Sequence, residues 1–238
     1  MTNQEFLLAI EKSFGEFIDS GTSRSTKKLV PLHGAIAHDM HERLGEAYEI
    51  KAQGFACGKE GTINGRYMDK KVDILVSRAE RAIGGIAVKF VMQNYSQNAN
   101  NYFENMLGET ANIRSACCPY FQIFIIPDKL PYYTNGGVFK HWETFSDSNI
   151  HKYCVLDRDN PQAYFHSPDK MLIYVIHLPD IGNIRTKTEY LSRYAEILER
   201  TPQGNLLTLV AAAQFSQSVI LNDYEQFAEK VYHSMMAV

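Results

Sequence analysis

The sequence predicts an α/β protein built on one central sheet. Segments with helical spacing of apolar residues alternate with short strand-like runs. One run, "YFQIFIIP" from Tyr120, is continuously apolar and suits the centre of a sheet. At 238 residues the chain is long enough to bury a full core. No repeat, low-complexity tract or Pro/Gly/Ser-rich linker divides it, so a single domain over 1–238 is expected.

Each element follows from local pattern. Phe6, Leu7, Ile10, Phe14, Phe17 and Ile18 lie on one helical face over 4–19. A second helix is expected from Leu32 to Leu44, stopped by Gly45. "YEIKAQGFACG" reads as a strand. "KEGTINGRYMDKKVDILVS" reads as a polar hairpin with a turn at Asn64-Gly65, feeding a strand from Lys71 to Val76. "RAIGGIAVKFVM" is a further strand, and Tyr102, Met106 and Ile113 give one buried stripe to a helix from Ser96 to Ala116. After "YFQIFIIP", residues 128–145 read as a loop and a helical turn, and 151–170 as irregular and polar. "MLIYVIHLP" is a strand and "KTEYLSRYAEILERT" a helix. A last helix begins near Asp223.

Composition bounds the function only loosely. Apolar residues make up 45% and charged residues 21%, as in ordinary globular domains, and the net charge of -3 neither favours nor excludes a nucleic-acid partner. No apolar run approaches the roughly 18 residues of a membrane span, and the N-terminal pattern is not that of a signal peptide. Cys57, Cys117, Cys118 and Cys154 match no zinc spacing, so a reducing cytoplasm is the expected compartment. Phosphate-binding glycine motifs are missing, so no nucleotide cofactor is expected.

The chemistry concentrates between Asp73 and Glu109. Asp73 and Lys89 each interrupt a run that is otherwise apolar. A carboxylate and a lysine on adjacent rigid strands suit metal-assisted attack on a phosphate: the acid holds an oxygen-loving divalent ion, and the lysine offsets transition-state charge or orients water.

An early helix, a hairpin, an acid ending one strand and a lysine within the next resemble the PD-(D/E)xK nuclease superfamily, over roughly Leu32 to Pro127. The resemblance implies a restriction-endonuclease-like fold, a mixed central sheet flanked by helices, with inserted or appended recognition elements. The nuclease core would span about 32–127. Recognition and dimerisation would fall to about 128–238 and the N-terminal helix. It further implies a type II restriction endonuclease that uses Mg2+ to hydrolyse double-stranded DNA to 5'-phosphates, acts as a homodimer and has no membrane association.

One position departs from the pattern. Two residues before Lys89 the superfamily places Glu or Asp, and here stands Ala87. The chain is then an inactive DNA-binding protein of that fold, a disabled form, or an enzyme whose second acid has moved; a repair or junction-resolving nuclease is a further alternative. A displaced acid is expected at Glu104, which with Asp73 would hold the metal, with Glu109 and Glu42 as alternatives. Asn94, Gln97, Asn98, Asn101, Lys27 and Lys28 are candidate DNA contacts, with Ser96 as the expected helix cap. Arg24 joins the same basic loop. Trp142 and Arg158 read as packing and ion-pairing residues as readily as recognition residues, and His33, His38 and His41 as helix-surface or satisfied groups.

Overall fold

The apolar run from Tyr120 to Pro127 is buried at every position in the computed structural model, which describes residues 1–22, 27–216 and 222–238. This strand, β6, is central to a six-stranded mixed sheet. The others are β1 (Glu49–Ala52), β4 (Ile74–Arg78), β5 (Arg81–Phe90), β9 (Lys170–His177) and β10 (Thr208–Leu209), in the order β1-β4-β5-β6-β9-β10. β5, β6 and β9 run parallel to one another, while β1, β4 and β10 pair antiparallel with their neighbours.

Alternation sorts the two faces. Phe121, Ile123 and Ile125 of β6, with Leu172, Tyr174 and Ile176 of β9, pack under α1 (Asn3–Ser20), α2 (Val30–Leu44), α5 (Lys187–Arg200) and α6 (Tyr224–Met236). Phe124 and Ile126, with Met171, Ile173 and Val175, pack under α3 (Tyr95–Arg114) and α4 (Asp147–Arg158). The chain is therefore α/β, a mixed sheet between two helical layers. Among the described residues no helix is long and apolar enough to cross a membrane.

Two hairpins stand outside the sheet. β2 (Gly61–Asn64) pairs with β3 (Asp69–Val72), and β7 (Lys129–Tyr133) with β8 (Phe139–Thr144). The second corrects the helical turn expected within 128–145: strand pairing resumes on either side of Thr134–Val138, despite Pro131. A lone proline is tolerated in such an edge pair. The first half of 151–170 is also corrected. It lies in α4, entered through a Ser146–Asn149 capping box and anchored by Ile150, Tyr153, Cys154 and Leu156. The strand expected over "YEIKAQGFACG" is cut to β1, because Gly54 takes a positive φ and turns the chain.

Candidate functional site

Asp73 occupies the one-residue break between β3 and β4, and the flanking pairings fix its neighbours. Gly61 faces Val72, so one further step in that register sets Glu60 opposite Asp73. Ile74 faces Ile86, and the same step on the other side sets Ala87 opposite it. Opposed residues in an antiparallel pair carry Cβ atoms about 4.5–5.5 Å apart. Asp73 thus has an acid on its hairpin side and an alanine on its sheet side. Its Oδ2 accepts the Val88 N–H at 2.7 Å, which ties the carboxylate to β5.

A third group comes from α2. The helix approaches the β1–β2 connection so closely that a Cβ on Gly34 would lie 2.6 Å from the Gly54 carbonyl oxygen. Only glycine permits that approach, and His33 is its neighbour in sequence. His33 is 0% exposed, and neither ring nitrogen has a hydrogen-bond partner among the described residues. One ligand atom each from His33, Glu60 and Asp73 lie within 4.8 Å of one another. Gln53 Nε2 donates to Glu60 Oε1 at 2.7 Å and orients that carboxylate.

The electrostatics suit a site for a divalent cation. Burial pushes the Asp73 carboxyl up to about 6; the Val88 N–H opposes the shift and Glu109 adds to it. Burial holds His33 down at about 4, against the pull of Glu60, so its imidazole is neutral, the form that ligates a metal. Two carboxylates and an unpartnered buried imidazole fit a divalent cation, which would satisfy polar atoms otherwise costly to bury. The nitrogen ligand suits a first-row transition ion better than Mg2+.

Lys89 is two residues past Ala87 on β5, so both project from the same face. Its Nζ lies 4.3 Å from the centre of the Tyr102 ring. Although part of the side chain is exposed, desolvation lowers its pKa, opposed by the charges of Asp73 and Glu109. The structure therefore brings Asp73 and Lys89 into electrostatic reach.

It does not bring Glu104 there. Glu104 is exposed on α3, and its charge acts on Lys152 of α4. The α3 acid whose charge reaches Asp73 is Glu109, which is paired with Lys70 of β3 and hydrogen-bonded to Tyr120. Glu42 is also exposed and pairs with His38 at 3.6 Å, on the opposite side of α2 from His33. Both differences have one cause: helical phase turns these two carboxylates outward.

The amides serve the scaffold. Asn94 exchanges hydrogen bonds of 2.9 Å with the Tyr133 backbone, through both its Nδ2 and its Oδ1. Asn98 Nδ2 donates to the Asn94 carbonyl at 3.3 Å. Gln97 and Asn101 are exposed. Ser96 is not the cap; Glu143 of β8 accepts the Tyr95 and Ser96 N–H groups at 2.7 and 2.9 Å and closes the N-terminus of α3. Lys27 is exposed, Lys28 is 7% exposed, and Arg24 lies outside the described residues. Trp142 packs between Phe139 and Tyr190.

The expectations missed Glu60 and His33. Nothing local marks Glu60: it and Asp73 are equidistant only from the observed turn over residues 65–68, which the Asn64–Asp69 pair places beyond the expected Asn64-Gly65 turn. His33 carries no signal either, because its burial depends on how α2 meets Gly54. Comparison with family models, curated proteins and solved structures finds no match.

Proposed function

We propose that the chain is a metal-dependent endodeoxyribonuclease on a PD-(D/E)xK-like core, in the form of a type II restriction endonuclease cutting double-stranded DNA as a homodimer. The observation that carries this reading is Glu60 opposite Asp73, with Lys89 on the neighbouring strand. It supplies the second carboxylate whose loss at Ala87 favoured an inactive binding protein.

In this reading His33, Glu60 and Asp73 hold a divalent cation. That ion would polarise a phosphate oxygen and acidify an attacking water. The chain's own groups supply placement and charge. The Val88 N–H fixes the Asp73 carboxylate, Gln53 fixes Glu60, and burial keeps the His33 imidazole neutral, with one ring nitrogen open to a metal. Lys89 offsets the charge that grows on the phosphate in the transition state. Glu109, neutralised by Lys70, stands behind this set and shapes the field at Asp73.

Incubation of unmethylated phage DNA with the purified protein, with Mn2+ or Mg2+ against EDTA, tests the reading. Discrete fragments that need both the metal and Asp73 are expected. Intact DNA with every divalent ion, or cutting unchanged in Asp73→Ala, overturns it.

A further inference from the structure

The β2–β3 hairpin stands outside the sheet with two candidate metal ligands at its foot: Glu60 directly precedes β2 and Asp73 directly follows β3. Register sorts its two faces. Ile63 and Val72 are buried and cluster with Ile113 and Tyr120. On the outer side Thr62 pairs with Lys71 and Asn64 with Asp69, and all four are exposed. Among the described residues none of these four side chains has a hydrogen bond or ion pair. An open cleft of about 860 Å³ is lined by Glu60, Thr62 and Asn64 among others, so Glu60 and the β2 half of this face open on one space.

The tip is clamped by one buried residue, Asn112 of α3. Its backbone carbonyl accepts the Arg66 N–H at 2.9 Å, and its Oδ1 accepts the Tyr67 and Met68 N–H groups at 2.9 and 3.3 Å. Its Nδ2 donates to the Met68 carbonyl at 2.9 Å. The clamp leaves Tyr67 and Met68 in solvent, 77% and 66% exposed. Fixing the backbone under exposed apolar side chains buries none of their surface, but it lowers the entropy lost when a partner covers them.

Size and chemistry name the partner. The DNA major groove, ~12 Å wide, admits a two-stranded ribbon. Successive outer pairs lie two residues apart, ~6.8 Å, which matches about two base-pair steps of ~3.4 Å. Asparagine pairs with adenine, aspartate accepts from cytosine, lysine donates to guanine and threonine packs on the thymine methyl. Arg66 and Lys71 outnumber Asp69 in charge, which suits a polyanion.

We propose that the β2–β3 ribbon lies in the DNA major groove and reads bases beside the cut. Asn64 and Asp69 meet base edges, Thr62 and Lys71 lie nearer the metal site, and Tyr67 and Met68 cover the far end of the contact. This rests on the nuclease reading for what happens at the ribbon's foot, while its faces and its clamp stand by themselves. One hairpin then carries both the reading and the cutting groups. Asp69 lies four residues before Asp73, so the bond cut falls within about four base pairs of the bases read.

The test is selection from a pool of duplexes with a randomised centre, by wild type, Asn64→Ala and Asp69→Ala, in EDTA and again in Ca2+. Wild type should enrich one sequence. Each variant, melting as wild type does, should lose the preference at one or two base pairs, the same or adjacent ones for both. Each should bind the enriched duplex about five- to a hundredfold more weakly. Affinity for unrelated duplexes should hold, since base contacts and phosphate contacts are separate. The enriched duplex built with 7-deazapurines, which lack the major-groove N7 acceptors, should bind wild type more weakly by a similar factor.

No enriched sequence, an unchanged preference in both variants, an equal loss on every duplex, or full affinity for the 7-deazapurine duplex overturns the proposal. Cleavage with an unchanged preference removes the ribbon and keeps the nuclease. A preference that depends on the ribbon, with no cleavage under any divalent ion, removes the nuclease and keeps the ribbon.

Discussion

Glu60 and Asp73 stand opposite each other across the β2–β3 hairpin, one residue beyond the Gly61–Val72 pair. The hairpin thus sets a second carboxylate beside the first. Asn112 of α3 pins its tip, with Oδ1 accepting the Tyr67 N–H at 2.9 Å and Nδ2 donating to the Met68 carbonyl at 2.9 Å. Glu60 directly precedes β2, and Gln53 holds its carboxylate.

Restoring an acid at position 87 should not help. Ala87 packs against the cluster of Ile63, Val72, Leu75, Ile113, Cys118 and Tyr120, and faces Asp73. In Ala87→Glu a third carboxylate enters a partly apolar site. Stability of the metal-free protein should fall by about 1–3 kcal/mol with no gain in cleavage. Denaturant melts and a cleavage assay check both; a more active Ala87→Glu identifies the chain as a disabled form.

Gly34→Ala should damage the site from a distance. Its Cβ meets the Gly54 backbone, which cannot swing aside as a side-chain tip does. The helix must retreat, at about 1–3 kcal/mol, and carry His33 away from Glu60. Thermal melting and Mn2+ titration should both register the change. Wild-type metal affinity in this variant contradicts the placement of His33 by that contact.

His33 should decide which ion binds best. Mn2+ should raise the melting temperature of wild type, by a stabilisation near 2.7 kcal/mol at about a hundredfold excess over Kd. His33→Gln replaces the nitrogen ligand with an oxygen and should shift preference from Mn2+ towards Mg2+. Equal responses of both proteins to both ions remove His33 from the ligand set.

Lys28 gives a pH signature. Its folded pKa of about 8 is below the ordinary lysine value of 10.5, through burial first and then repulsion from Lys89 and Lys187. The unfolded chain therefore binds this proton more tightly. Charge on Lys28 destabilises the fold below pH 8, and that penalty is relieved as pH rises from about 8 to 10.5. The stability of wild type relative to Lys28→Met should rise through that window. A flat difference places the Lys28 ammonium in ordinary solvent.

Much of the fold was legible because apolar period and burial agree. Phe6, Ile10, Phe14 and Phe17 gave α1, and the unbroken run from Tyr120 gave the central strand. α4 was hidden because His151, Lys152, Asp157 and Arg158 interrupt its buried stripe of Ile150, Tyr153, Cys154 and Leu156. β7 was hidden by Pro131, which reads against a strand unless the edge is known. At the site, Asp73 and Lys89 were visible because each breaks an apolar run. Glu60 sits in a polar stretch where one more acid carries no local signal, and only the hairpin register reveals it. Glu104 drew attention by its distance past Lys89, a count blind to the direction in which α3 turns it.

The most direct measurement is Mn2+ binding, by electron paramagnetic resonance, to wild type, Glu60→Gln, Asp73→Asn and Glu104→Gln prepared alike. Wild type and Glu104→Gln should bind Mn2+ equally, and Glu60→Gln and Asp73→Asn at least about tenfold more weakly, a loss near 1.4 kcal/mol. Wild-type affinity in Glu60→Gln, with loss in Glu104→Gln, contradicts this and returns the second carboxylate to α3.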